Sequence, residues 1–195
     1  MSDRPERLRR MEPGDLSAEQ RDLYDQITGG PRAAGTQVFA LTASDGTLNG
    51  PFNAMLLSPP VGAGLQGLGA AVRYGSSLSP RTREMAILLV AAHWDCLFER
   101  HAHEAVGRDV GLSNVELQLL AQEKLPPTTD PAEAAALAVV DGLLRRADLD
   151  DAEYEVARAA LGERQLFELS TLVGYYATLA MQLRIFRVGA PASIG

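Results

Sequence analysis

The segment CLFERHAH, residues 96–103, gathers the side chains of this sequence that are best suited to chemistry. It contains Cys96, the only cysteine of the chain, and two of its three histidines, His101 and His103, with Glu99 between them. A thiol, a carboxylate and an imidazole could form a redox site, an acid–base site or a metal site. They could also be polar residues of an ordinary helix, because a lone cysteine is usually buried and inert.

The spacing of the segment places three of these side chains on one face of a predicted helix. At about 100° per residue, Cys96 and His103 are about 20° apart, and Glu99 lies within about 60° of either. His101 is about 200° from His103 and points elsewhere.

Residues i and i+2 share a face on a strand but not on a helix, so the two histidines are poorly placed to chelate a metal. A zinc site also needs three or four converging ligands. Metal binding is therefore a minor alternative, and we expect no metal and no cofactor.

The residue before the cysteine predicts a helix start. Aspartate is a favoured N-cap, and Asp95 directly precedes Cys96. If the chain turns at His93 and Trp94, we expect Asp95 to cap a new helix whose first residue is Cys96. The free N–H groups and the positive end of the helix dipole would then lower the pKa of the thiol. The negative charge of Glu99 opposes this effect, so we expect a modest net shift in the pKa of Cys96.

Helical signals run through the rest of the chain and predict the elements that position this segment. Four residues are predicted caps, two of them opening capping boxes and two preceding a proline: Ser17, Ser113, Ser79 and Asp130. Apolar spacing predicts further helices at 51–58, 61–75, 151–162 and about 163–187. No run of alternating residues indicates a strand. The predicted fold is all-α, with six to eight helices and no sheet.

Composition favours a soluble single domain. The chain has 195 residues, of which 46% are hydrophobic, and a net charge of −7. The acidic balance argues against a nucleic-acid surface. The N-terminus lacks the apolar segment of a signal peptide, and the longest apolar run, 169–183, is too short to span a bilayer. We expect a cytoplasmic protein without a membrane partner, with an N-terminal arm and loop over 1–50 and a helical core over 51–190.

Residues 81–113, RTREMAILLVAAHWDCLFERHAHEAVGRDVGLS, resemble the carboxymuconolactone decarboxylase and alkylhydroperoxidase D-like superfamily. The segments GPFNAMLLSPP (50–60) and LVGYYATLAMQLRIFRV (172–188) are similar to its longer members, so the resemblance runs from about residue 13 to 190. It implies an AhpD-like helical bundle with an N-terminal helical arm. It also implies a homo-oligomer, as a dimer, trimer or hexamer, and the last predicted helix carries more apolar surface than one domain face needs.

The peroxidase branch of this superfamily carries the frame Glu-x11-Cys-x2-Cys-x3-His. Glu84, Cys96, Glu99 and His103 occupy that frame, with Glu99 at the position of the second cysteine. In the peroxidases the two cysteines form the redox disulfide while the Glu and the His relay protons. A chain with a single thiol cannot run an internal dithiol cycle. The decarboxylase branch keeps Glu-x3-His and can lack cysteine, and Glu99 and His103 match that pair.

The favoured interpretation is a cofactor-free acid–base enzyme of decarboxylase, lyase or isomerase type, acting on a small carboxylated or lactone-like substrate. An imidazole exchanges protons near neutral pH, and Glu99 four residues before His103 can orient it. Glu84 lies among apolar residues, so we expect its pKa to be raised. Arg83 and Arg100 are candidate anchors for an acidic substrate.

Three alternatives stay open. Cys96 could act as a single-cysteine peroxidase, or peroxiredoxin-type oxidoreductase, whose sulfenate is reduced by an external thiol. His103 and Cys96 could belong to a metal-dependent enzyme. The protein could also be a non-catalytic oligomeric scaffold. The candidate catalytic residues are Glu84, Cys96, Glu99 and His103.

Overall fold

The computed structural model describes residues 5–30 and 39–190. Within them lie eight α-helices, a 3-10 turn at Pro13–Asp15 and one isolated β-bridge between Thr42 and Leu48. The helices are α1 Ala18–Gly29, α2 Pro51–Met55, α3 Pro59–Tyr74, α4 Pro80–His93, α5 Leu97–Asp109, α6 Asn114–Leu120, α7 Pro131–Arg146 and α8 Asp151–Phe186. The prediction of an all-α fold with six to eight helices is confirmed for the described residues.

Side-chain caps explain several of the helix starts. Ser17 and Ser113 each form the complete capping box that the sequence predicts. Ser79 accepts a hydrogen bond from a backbone N–H at the start of α4, and Asp130 accepts two at the start of α7. A cap of this kind stabilises a helix by about 1 kcal/mol, because it satisfies an N–H group that has no partner within the helix.

A glycine divides the last helix into two parts. Gly162 has a φ of 72°, which breaks the helical geometry of α8 at the boundary predicted between the last two helices. A Cβ at this position would meet no atom within 4 Å, so the backbone conformation requires glycine and the available space does not. Although α8 has 36 residues, no helix among the described residues is both long and apolar enough to cross a membrane.

Helix α4 lies at the centre of the bundle and packs against α5, α6, α7 and α8. Its buried residues include the continuous apolar run 85–91, as expected for a helix surrounded by others. Glu84 is an ionisable residue of this helix and is only 1% exposed. Burying a charge at this depth is costly unless it is paired, so the fold must supply a partner for Glu84.

The N-terminal arm, residues 5–30, packs onto the same core. Leu23 and Ile27 of α1 are fully buried within it. The side chain of Asn53 in α2 accepts a backbone hydrogen bond from the arm at 3.0 Å and donates one back at 3.2 Å. The N–H of Arg7 donates to the carbonyl oxygen of Phe186 at 2.9 Å, which ties the arm to the end of α8.

Candidate active site

The turn between α4 and α5 places Cys96 at the start of α5. The N–H of Asp95 donates to the carbonyl oxygen of Ala92 at 2.9 Å, and the N–H of Cys96 donates to that of Ala91 at 2.8 Å. Asp95 has a left-handed φ of 47°. These two bonds and the left-handed residue form a Schellman ending of α4. Cys96 is extended and is itself the N-cap of α5, whose first residue is Leu97.

The prediction that Asp95 caps α5 is therefore wrong. Asp95 is the left-handed residue that ends α4, and it cannot at the same time adopt the extended conformation of an N-cap. Its side chain is 81% exposed and lies 3.3 Å from the guanidinium of Arg184. The predicted interruption at His93 and Trp94 is present, and Cys96 lies at the N-terminus of α5 as expected.

Farther along α5, His103 bridges two buried carboxylates. Its Nδ1 lies 2.6 Å from Glu84 Oε2, and its Nε2 lies 3.3 Å from Glu99 Oε2. Each of these side chains is at most 5% exposed. We call Glu84, Glu99 and His103 the His103 cluster. Both ring nitrogens face carboxylates, so neither is left for a metal ion, and residues 5–30 and 39–190 contain no group of three or more potential ligands that could hold one.

The two carboxylates favour a protonated imidazole. Burial lowers the pKa of His103, but the charge and hydrogen bonds of Glu84 and Glu99 outweigh burial and raise that pKa to about 9. Burial raises the pKa of Glu84, yet the charge and hydrogen bond of His103 lower it on balance. The expectation of a raised pKa for Glu84 is therefore wrong, because the fold places the His103 imidazole 2.6 Å from Glu84 Oε2, and the charges of Arg73 and Arg83 also lower this pKa.

Tyr176 of α8 packs against the imidazole. Its ring meets that of His103 edge to face, with centroids 5.2 Å apart and an angle of 90°. Burial, and after it the charge of Glu99, raises the pKa of Tyr176 well above its ordinary value. Sequence analysis missed this residue because it lies within the mostly apolar run 169–183, and only its ring contact with His103 in the folded protein reveals its neighbour.

The Cys96 thiol is protonated at neutral pH. Burial and then the charge of Glu99 raise the pKa of this thiol to about 12. The backbone N–H groups of Glu99 and Phe98 and the charge of Arg184 favour the thiolate, but their combined effect is smaller. The helix N-terminus therefore does not produce the low pKa considered from the sequence, and the net shift is larger than expected. The residue is 3% exposed, so burial decides the outcome.

A cavity of about 490 Å³ opens onto Cys96. Its walls are the start of α5, the end of α8 with the residues after it, and Glu6 of the arm. An adjoining cavity of about 440 Å³ shares Glu6, Phe98 and Val188 with it. Glu84, Glu99 and His103 line neither cavity. A ligand would thus meet the thiol before the cluster. A larger cavity of about 550 Å³, between α7 and α8, is lined by none of the candidate catalytic residues.

The other polar residues singled out from the sequence lie away from this cavity. His101 is exposed, and Arg100 pairs with Glu104 on the surface of α5 at 2.8 Å. Arg83 lies 3.5 Å from the second oxygen of Glu84 but does not line the cavity. Two arginines that sequence analysis did not select do line it, at positions 184 and 187. Their sequence signal is weak: Arg184 directly follows the apolar run 169–183, and Arg187 comes three residues later.

Both the sequence and the fold are similar to those of known proteins. Residues 59–142, which include all four candidate catalytic residues, match the model of the carboxymuconolactone decarboxylase family. No protein of curated function matches the sequence. Among solved structures, a peroxidase-related protein from Ralstonia eutropha JMP134 with an alkylhydroperoxidase AhpD core is 15% identical, with a TM-score of 0.73 over 97% of this chain and 94% of that chain. A protein of unknown function from Agrobacterium tumefaciens is 22% identical, with a TM-score of 0.64 over 74% of this chain and 100% of that chain.

The debrominase Bmp8 has a similar fold. A structure of its cysteine-to-alanine variant in complex with 2,3,4-tribromopyrrole is 11% identical, with a TM-score of 0.67 over 96% of this chain and 91% of that chain. Identities this low show a shared fold and leave the reaction open. The match over residues 59–142 assigns this part of the chain to the carboxymuconolactone decarboxylase family, and the AhpD-like fold and the residue frame of α4 and α5 agree with that assignment.

Proposed function

We propose that this protein is a cofactor-independent acid–base enzyme of lyase or isomerase type that acts on a small carboxylated or lactone-like substrate. The observation that supports this most is the bridging of His103 between Glu84 at 2.6 Å and Glu99 at 3.3 Å. A buried imidazole between two carboxylates can hold a proton and release it to either side. Glu99 is the member whose charge also acts on the Cys96 thiol.

In this proposal Cys96 contacts the substrate and the His103 cluster restores its proton. When the bond to a substrate carboxylate breaks, CO₂ leaves and the electron pair stays on the substrate as an enolate-like anion. The thiol proton moves to that carbon. The resulting thiolate is unfavourable beside Glu99, so it takes a proton from His103 through Glu99, and His103 regains one from water. An isomerisation uses the same groups, with one proton removed from carbon and one returned.

A second candidate is thiol chemistry at Cys96, which is favoured by its position at the cavity wall. A cysteine that attacks peroxide does so as the thiolate, and a pKa of about 12 leaves little thiolate at neutral pH. Glu99 occupies the position of the resolving cysteine, and the sequence has no other thiol. These features make the acid–base reaction the better supported of the two.

The test is a panel of small lactone carboxylic acids and unsaturated dicarboxylic acids, followed by proton NMR in D₂O. Decarboxylation would appear as loss of the starting signals with release of CO₂, and isomerisation as deuterium at a substrate carbon. We expect Glu99→Gln to lower turnover by about 100-fold or more. Glu104→Gln is the matched control, because Glu104 lies on the same helix but pairs with Arg100 outside the cluster. Cys96-dependent peroxide consumption without any exchange at carbon would reject this function in favour of the second candidate.

We also propose that the protein is a homo-oligomer. Phe167, Met181 and Ile185 of α8 are 72%, 42% and 55% exposed. With the exposed Gly174 they lie within about 20° of one line along the helix. An uncharged apolar stripe of this length is unusual on the surface of a monomer. A mass of 20.9 kDa by light scattering at micromolar concentration would contradict this proposal.

A further inference from the structure

The cavity at Cys96 carries positive charge beside the thiol. Arg184 lies in the last turn of α8, Arg187 directly follows that helix, and both line the cavity. The Arg184 side chain is 48% exposed, so a ligand can reach its guanidinium. A guanidinium presents a planar set of N–H donors that matches a carboxylate. The charge of this wall therefore suits an anionic ligand.

Arg184 is held in place by the turn before Cys96. Its Nη1 donates to the carbonyl oxygens of Trp94 and of Asp95, the latter at 3.3 Å. These contacts fix the guanidinium next to the thiol. The same atom lies 3.3 Å from the carboxylate of Asp95, whose side chain is 81% exposed. An exposed ion pair of this kind contributes at most about 1 kcal/mol, so another carboxylate can displace Asp95 at little cost.

We propose that Arg184 is the carboxylate-binding residue of this cavity and that Asp95 occupies its guanidinium when no substrate is bound. A substrate carboxylate takes the place of Asp95 and brings the adjoining carbon atoms to Cys96. The remaining wall includes Phe98 and Val188 and suits a short hydrocarbon or ring. What then happens to that substrate rests on the proposed function, whereas the binding of the carboxylate does not.

Another acidic residue of the wall does not compete for Arg184. Glu6 lies in the arm and pairs with Arg10 at 3.6 Å. Arg10 lines the adjoining cavity and not the one at Cys96. Asp95 is therefore the carboxylate that a substrate must displace from Arg184.

The single thiol of the chain offers a direct test with two alkylating reagents. Iodoacetate and iodoacetamide both form a bond from Sγ of Cys96 to carbon and release iodide, but only iodoacetate carries a carboxylate. The ratio of their rate constants cancels the thiolate fraction, which both reactions share. We expect Arg184→Gln to lower the ratio by about five-fold or more and Asp95→Asn to raise it by about two-fold or more. Asparagine tolerates a left-handed φ, so the second variant keeps the turn.

Arg100→Gln is the matched control. It removes the same charge from a side chain that is also 48% exposed but does not line the cavity. Equal falls in the ratio for Arg100→Gln and Arg184→Gln would reflect general attraction and overturn the proposal. If Arg184→Gln disturbs the turn, Asp95→Asn still keeps the bonds from Arg184 to the two carbonyl oxygens, and an unchanged ratio in that variant would also overturn it. Turnover that still depends on Glu99 would then leave the proposed function standing without this anchor.

Discussion

Two clusters that include residues of α4 place one cation between two carboxylates, and they differ in what that cation can do. In the first turn of α4, Arg81 donates to Glu133 at 2.8 Å, pairs with Glu116 and donates to the carbonyl oxygen of Gly111 at 2.9 Å. We call Arg81, Glu116 and Glu133 the Arg81 cluster. It links α4 to α6 and α7. The arginine side chain is 29% exposed, and arginine keeps its proton at any ordinary pH.

The His103 cluster uses Glu84, one turn farther along α4, and is closed to solvent. Its cation has a pKa of about 9, so it can take up and lose a proton in the range where enzymes work. A cation between two carboxylates is therefore not by itself a sign of catalysis. Arg81 keeps its proton and joins helices. His103 can exchange its proton and lies behind Cys96, so it is suited to proton transfer.

The largest effect on activity is expected when His103 is replaced, and His101 on the same helix is the control. We expect His103→Asn to lower kcat/KM by about 10²-fold to 10⁴-fold, because it removes the group that stores the proton. His101→Asn should change kcat/KM by no more than about two-fold, since His101 is exposed on the same helix. The measurement uses the substrate identified in the panel, with circular dichroism to verify folding. Equal losses of kcat/KM in the two variants would contradict a catalytic role for the His103 cluster.

The reverse pattern is expected in the Arg81 cluster. Arg81→Met leaves Glu116 and Glu133 facing each other without a cation. We expect the free energy of unfolding to fall by about 2–3 kcal/mol while turnover per folded molecule is retained. Arg108→Met, on the surface of α5 with a side chain 52% exposed, is the control and should cost less than about 0.5 kcal/mol. A loss of turnover at unchanged stability in Arg81→Met would contradict the structural role.

The pH dependence of stability sharpens the contrast. The folded-state pKa of His103 is about 9, above its ordinary 6.5, so folding favours the protonated form. The stability it contributes is complete below about pH 6.5 and is lost as the pH rises through 9, with a magnitude of about 3 kcal/mol. Denaturant unfolding from about pH 6 to about pH 8, below the range in which the Cys96 thiol titrates in the unfolded chain, should show this slope in the parent protein and not in His103→Asn. Arginine does not titrate in this range, so Arg81→Met should keep the slope.

The reactivity of the thiol tests the link from the cluster to Cys96. We expect Glu99→Gln to speed alkylation by iodoacetamide at pH 8 by about three-fold to ten-fold, because the neutral side chain no longer disfavours the thiolate. Glu104→Gln should leave the rate unchanged. If Cys96 is alkylated no faster in Glu99→Gln than in the parent protein, Glu99 does not couple the thiol to His103.

The smallest activity is expected in the reduction of peroxide. Turnover with a dithiol donor should be weak, since Cys96 has no resolving partner and its thiol is protonated. Glu99→Cys supplies a thiol at the second position of the peroxidase frame, and we expect dithiol-linked turnover to appear in that variant. Steady turnover in the parent protein that is lost in Cys96→Ser would show that thiol chemistry is already its activity.

The features that could be predicted from the sequence are local ones. The boxes at Ser17 and Ser113 depend on residues three apart and form as expected. Glu99 and His103 are four apart on one helix, so their pairing follows from helical geometry. The resemblance to a known frame added Glu84, which lies 19 residues from its partner.

The features that could not be predicted depend on distances between elements. The direction of the shift in the pKa of Glu84 requires the 2.6 Å contact with His103 across two helices. Arg184 is about ninety residues from the turn that it binds. Asp95 was misassigned because aspartate both caps helices and tolerates a left-handed φ. Only the hydrogen bonds of the turn show that Asp95 is the left-handed residue that ends α4 and not the cap of α5.

The Schellman turn before Cys96 also sets which substitutions the site can accept over evolutionary time. Position 95 needs a left-handed φ, which most residues reach only at a cost of about 1–2 kcal/mol, so aspartate, asparagine and glycine are the tolerated types. Cys96 has an extended backbone that any residue can adopt. The backbone therefore restricts the residue type at position 95 more than the type at position 96. Related proteins with this backbone could therefore differ in their reaction through substitutions at positions 96 and 99, while position 95 remains aspartate, asparagine or glycine.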